Sequence, residues 1–213
     1  MKNVAFLLFI LIAVAIQGCI VKSLHPFYTQ NDLVFRPELV NSWVDEDNNR
    51  WVIKKWEDTP NAYEMRWLDD GDRNVVFMAH LFELEGQLYF DFIPIEDQTD
   101  GKQSFNMFDM HLVPVHSVAR IHVLNKEEVQ IKWFNEKWLK SLFEQNRIKV
   151  SHEVIKEEFA AYSEDSEQVK KEIREYVLTA STGELQKFLL KYGNDDAAFE
   201  DDNTVWLRLK PAI

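Results

Sequence analysis

From residue 39 the chain alternates between apolar and polar positions. Tyr63, Met65 and Trp67 alternate with Glu64 and Arg66, the period of a strand with one buried face. Strands are also predicted at 39–44, 50–57, 74–85 (apolar on both faces), 87–95 and 111–124, with Val129, Ile131 and Trp133 alternating in the next. Polar turns at 45–49, 58–61 and 69–72 separate them, and Glu85-Gly86 reads as a tight hairpin turn. Pro114 lacks an amide donor, so the 111–124 strand is expected to bend there. Residues 96–110 read as a loop.

Beyond residue 134 the period lengthens. Asn135 can cap a helix that puts Trp138, Leu139, Leu142 and Phe143 on one side. Ser181 and Glu184 have capping-box spacing, Leu185, Phe188, Leu189 and Tyr192 follow at helical intervals, and Gly193 ends the run. Residues 147–155 read as a further strand and the charge-rich 156–175 as a solvated helix broken near 163–166. Short strands are expected at 176–180 and 204–210, flanking an acidic loop at 194–203. The whole predicts an α+β fold. Its sheet is a curved antiparallel β-meander or partial barrel of seven to nine strands, with C-terminal helices packed against it.

The first 21 residues follow neither period. A short positive end, Met1-Lys2-Asn3, precedes an uncharged run from Val4 to Ile16, then Gln17, Gly18 and Cys19. This is the layout of a secretory signal, with an apolar stretch short for a membrane span. Ile16-Gln17-Gly18-Cys19 resembles the lipobox of bacterial lipoproteins, with Gln where Ala or Ser is commoner. The resemblance implies cleavage before Cys19 and acylation of its thiol, hence a cell-envelope location at a membrane, outside the cytoplasm. An uncleaved anchor helix and plain secretion are the alternatives. The expected organisation is a signal at 1–18, a lipid-attached arm at 19–38, and one α+β domain at 39–213. That domain is β-rich over 39–134 and mixed helix and strand over 135–213. The arm is too apolar for a free linker, with Leu24, Phe27, Tyr28, Leu33, Val34 and Phe35.

Cleavage before Cys19 removes 18 of the 213 residues and takes the formal charge from −12 to −13. Such a surface repels nucleic acid, so none is expected as a partner. Cys19 is the only cysteine, so no disulfide forms within the chain. Several phrases are similar to a group of uncharacterised bacterial lipoproteins: Ser23-Leu24-His25-Pro26-Phe27-Tyr28-Thr29, Ala79-His80-Leu81-Phe82, His111-Leu112-Val113-Pro114-Val115-His116, and the stretch from Leu178 to Leu189. That resemblance implies the envelope and carries no activity. Asn41-Ser42-Trp43 resembles the Gly-x-Trp opening of lipocalin-type barrels, with Asn in place of Gly.

Catalytic signals are sparse. A turn at Glu85-Gly86 places His80 opposite Asp91, and a nearby carboxylate can orient an imidazole as a general base. With His116 these are the catalytic candidates of a hydrolase reading; a cross-strand pair that merely steadies the sheet is the plainer one. His116 and His122 lie roughly 20 Å apart along a strand, and no His-Glu-x-x-His occurs, so neither a metal nor another cofactor is expected. Serine-nucleophile and phosphate-loop motifs are missing. Trp51, Trp56 and Trp67 are the ligand-binding candidates; Trp51 and Trp56 differ in parity and should face opposite ways. The leading expectation is a non-enzymatic, lipid-anchored module that binds another envelope protein or an apolar small molecule. An envelope hydrolase and a purely structural lipoprotein are the alternatives.

Overall fold

The alternating stretches become strands, and the tight turn sets their frame. The computed structural model of the chain describes residues 20–69, 74–96, 112–125, 127–163, 166–199 and 207–212. Its strands are β1 (Lys22–Ser23), β2 (Asn41–Val44), β3 (Arg50–Lys55), β4 (Ala62–Leu68), β5 (Asn74–Leu84), β6 (Gln87–Ile95), β7 (His116–Asn125), β8 (Glu128–Trp133), β9 (His152–Ser163), β10 (Ser166–Leu178) and β11 (Leu207–Pro211). Helix α1 spans Glu136–Glu144 and α2 spans Thr182–Tyr192.

Glu85 and Gly86 both take positive φ, 48° and 82°, the geometry of a two-residue hairpin whose twist matches its strands. His80 consequently pairs with Asp91, as the sequence predicts. From that hairpin the wall runs β6-β5-β4-β3-β2-β11-β8-β7, and β6 pairs with β7 to close an eight-stranded antiparallel barrel. The fold is therefore mostly β with two helices among the described residues.

The inward positions form one apolar cluster that includes Trp43, Trp51, Ile53, Tyr63, Met65, Phe90, Phe92, Ile121 and Ile131. Trp133 on β8 reaches Trp51 on β3 at 6.3 Å between ring centroids and Phe92 on β6 at 5.7 Å. Tyr63 on β4 meets Phe90 edge-on at 5.7 Å. These contacts join non-adjacent strands, so the rings cross the lumen. An eight-stranded barrel is just narrow enough for side chains to fill.

A second cluster lies on the outer wall. Phe82, Tyr89 and Val118 from β5, β6 and β7 share it with Leu139 and Phe143 of α1 and Leu185, Phe188 and Leu189 of α2. Phe134 links them, its ring 5.3 Å from both Trp138 and Phe188. Asn135 caps α1 by accepting the Trp138 amide at 3.1 Å. Ser181 donates its amide and hydroxyl to Glu184 at the start of α2.

The arm joins the same wall. Ile20 bridges Asn135, and β1 lies between β7 and β10, parallel to β10. Lys22 forms an ion pair with Glu175. Further on, Leu33 bridges Phe82, and the Val34 amide donates to the Leu81 carbonyl at 2.9 Å. Phe35 then stacks on Tyr63 at 4.8 Å.

Two expectations need correction. Residues 156–175 are not a helix: β9 and β10 form a long hairpin from His152↔Leu178 to Ser163↔Ser166. Heavy charge suggested a solvated helix, but Val154, Ile155, Phe159, Tyr162, Val169 and Ile173 are strand formers, and each strand supplies the other's hydrogen bonds. The strand expected at 111–124 starts only at His116, past Pro114. Gly193 ends α2 as expected, at φ −66°; a Cβ there would lie 2.0 Å from the Tyr89 hydroxyl, so close approach selects the glycine.

Candidate functional site

On the outward face of β5 and β6, His80 and Asp91 form a polar pair flanked by Met78, Phe82, Tyr89 and Ile93. β7 brings His116 to the same face, because Asp91 pairs with Val118, two residues away. The three candidates therefore converge. Their bonding differs from the sequence reading, however. Asp91 turns from His80 and bonds His116 Nδ1 through Oδ1 at 2.6 Å. Its Oδ2 accepts the Phe27 amide at 2.8 Å. His80 instead meets Tyr28, whose hydroxyl lies 3.1 Å from Nδ1 and whose ring stacks on the imidazole at 4.6 Å.

Phe27 and Tyr28 belong to the arm, and sequence reasoning missed both. A signal was present: an outward Asp in an apolar wall needs donors, and the arm was already too apolar to be free. The cluster is a clasp holding the arm to the barrel. Asp91 is 1 % exposed, His80 6 % and the His116 side chain 14 %.

Burial governs the electrostatics. It lowers the His80 pKa from 6.5 to about 4, with His116 adding to the shift. It raises the Tyr28 hydroxyl to about 12, helped by the negative charge of Asp91. With both groups neutral, the phenol and His80 Nδ1 share one hydrogen bond whose direction follows the imidazole tautomer. Asp91 is also pushed upward by burial, against the bonds from His116 and Phe27.

These shifts set a pH dependence. The unfolded chain protonates His80 more readily than the folded one, so acidification favours unfolding. Stability is full above pH 6.5 and falls as the pH drops towards 4. Asp91 works in the opposite sense, since its folded pKa is the higher; its contribution grows at the acid end. The unfolding free energy from urea titrations should thus fall between pH 6.5 and 4, by about 2 kcal/mol, with Asp91 offsetting part of the His80 penalty. His80→Gln should flatten that slope, and an unchanged slope would exclude His80 as its source.

An Asp–His pair is the orienter and base of many hydrolases. Ser23 even stands opposite His116 in register. It is fully buried, though, and its Oγ accepts the His25 amide at 3.2 Å. No open cleft separates these groups from the arm that covers them.

The tryptophan candidates divide as parity predicts. Trp51 and Trp67 pair directly across β3 and β4 and belong to the lumen cluster; Trp56 follows the end of β3, away from it. Trp43, noted in the sequence only for its Gly-x-Trp-like setting and not as a ligand candidate, pairs with Trp51 and is fully buried. A separate polar group sits on the outer face of β7. Arg120 donates to the Gly193 carbonyl at 3.1 Å and to Asp196 at 2.8 Å, and lies 4.4 Å over the Phe199 ring.

Cys19 lies outside the described residues. Among the described residues, no three His, Cys, Asp or Glu side chains are placed to hold a metal ion, and no helix is long and apolar enough to cross a membrane. Comparison with known proteins finds no matching family model, curated protein or solved structure.

Proposed function

We propose that the chain is a lipid-anchored bacterial envelope protein, acylated on Cys19, that works outside the cytoplasm by binding rather than catalysis. The observation that carries this reading is the occupied clasp. Asp91 has a partner on each oxygen, His80 is covered by Tyr28, and the cover is the chain's own arm. A general base needs an open path to the proton it takes. The crossed lumen argues in turn for a binding surface on the outside of the barrel.

In this reading the two helices form a cap over the β5–β7 wall, supported by the buried faces of Leu139, Phe143, Leu185 and Phe188. A lipid on Cys19 would also hold the barrel close to the bilayer, because Ile20 is already bridged to Asn135. Two or three acyl chains anchor durably where one is marginal. The acidic charge keeps nucleic acid out of the list of partners.

The test is to express the full chain with labelled palmitate and fractionate the cells. The label should reside on the chain in the membrane fraction, and Cys19→Ser should lose both label and membrane retention. Retention of an unlabelled Cys19→Ser chain would overturn the lipid anchor in favour of a protein one.

A further inference from the structure

A groove of about 430 Å³ runs between α2 and the segment that follows α1. One wall is the extended stretch after Asn146, whose φ of 53° ends the helix. The Arg147 amide is fixed to the Leu142 carbonyl at 2.9 Å. Ile148 and Val150 pack inward against the outer-wall cluster. Alternation therefore turns Arg147 and Lys149 outward, and both are exposed. The facing wall is α2, where Lys187 and Lys191 are four residues apart and share a side of the helix. Phe188 and Tyr192 lie between these walls.

Four cations thus border one groove in a chain with twelve more acidic than basic residues. Their mutual repulsion is offset nearby only in part, by Glu184, whose pKa is lowered by the Ser181 bonds with help from the Lys187 charge. Glu184 is the only acid lining the groove, and its carboxylate is engaged by the Ser181 amide and hydroxyl. Among the described residues, Arg147, Lys149 and Lys187 make no ion pair. Lys191 lies 4.7 Å over the Tyr192 ring, a contact that leaves its charge in place. The volume falls within the range of small-molecule pockets, and apolar surface with a few charged groups is their usual make-up.

We propose that this groove is an anion-binding site for a phosphate ester with an apolar body. Arg147 and Lys149 would grip the anion from one side and Lys187 and Lys191 from the other, with Phe188 and Tyr192 against the apolar part. The proposal deepens the reading of the chain as a binding module without depending on the lipid at Cys19. Failure of one leaves the other standing.

The test is calorimetric titration of the full chain in an uncharged maltoside detergent. The probes are dihexanoyl phosphatidylglycerol, dihexanoyl phosphatidylcholine and inorganic pyrophosphate. The phosphatidylglycerol should bind and the zwitterionic lipid should not. Lys149→Glu with Lys187→Glu should weaken binding at least tenfold, while the same reversal at Lys54 and Lys210 should change it less than twofold. Tighter binding of the lipid than of pyrophosphate assigns the site to a membrane headgroup; the reverse assigns it to a soluble phosphate ester. Absence of binding by both anions, or equal loss in the two charge-reversed chains, overturns the proposal. Should the reversal at 149 and 187 prevent folding, the paired Gln substitutions at those positions give the same comparison.

Discussion

Asp91→Ala should lower the unfolding free energy by about 2–4 kcal/mol, the range for leaving two enclosed donors without their acceptor. Asp91 is almost fully enclosed and accepts from the His116 ring and the Phe27 amide. Truncation leaves both donors buried with nothing to receive them, and the desolvation cost of each is then uncompensated. Asp91→Asn keeps the volume and an acceptor oxygen, so its cost should be smaller, about 1–2 kcal/mol. Urea unfolding of the three chains reads the ordering. Hydrogen exchange adds the location, since residues 24–34 should lose protection first if the carboxylate holds the arm. A loss below about 1 kcal/mol for the alanine chain would show that the clasp contributes little.

The second large effect belongs to the lumen. Trp43→Ala should cost about 3–5 kcal/mol, because the indole is wholly buried and the surrounding wall is closed on itself. A closed barrel cannot collapse freely around a void, so the cavity penalty adds to the lost transfer energy. The indole Nε1–H also donates to the Leu39 carbonyl at 3.0 Å, tying β2 to the turn before it. Trp56→Ala should cost about 1 kcal/mol or less, as that side chain stands outside the lumen cluster. Thermal and urea denaturation of the two chains should separate them clearly. Equal losses would contradict the division of the tryptophans by parity.

Much of the wall was legible because each strand there has one apolar face and one mixed face. The Glu85-Gly86 turn fixed a register, and the pairing of His80 with Asp91 followed from counting. The capping groups at Asn135 and Ser181 were equally local signals. What sequence could not supply was the partner in space. Asp91 was matched to the histidine beside it, yet its bonds go to His116 and to an amide 64 residues away. The β9–β10 hairpin was misread for a related reason. Its charges look helical along each segment alone, and what makes it a ribbon is the pairing with the facing strand. The basic groove was hidden because its cations come from two distant segments, each unremarkable alone.

The order of strands around the barrel also constrains when it can form. β11 is seated between β2 and β8, with Leu207 opposite Ile131 and Pro211 opposite Trp43. Until residue 211 has left the ribosome the ring lacks that stave, and the edges of β2 and β8 stand open. Closure joins segments more than 160 residues apart, a slow search with a high entropic cost. Until β11 is seated the barrel stays open, and an open chain is one that a narrow channel can thread. Its exposed edges, meanwhile, call for a chaperone's cover until the last strand arrives.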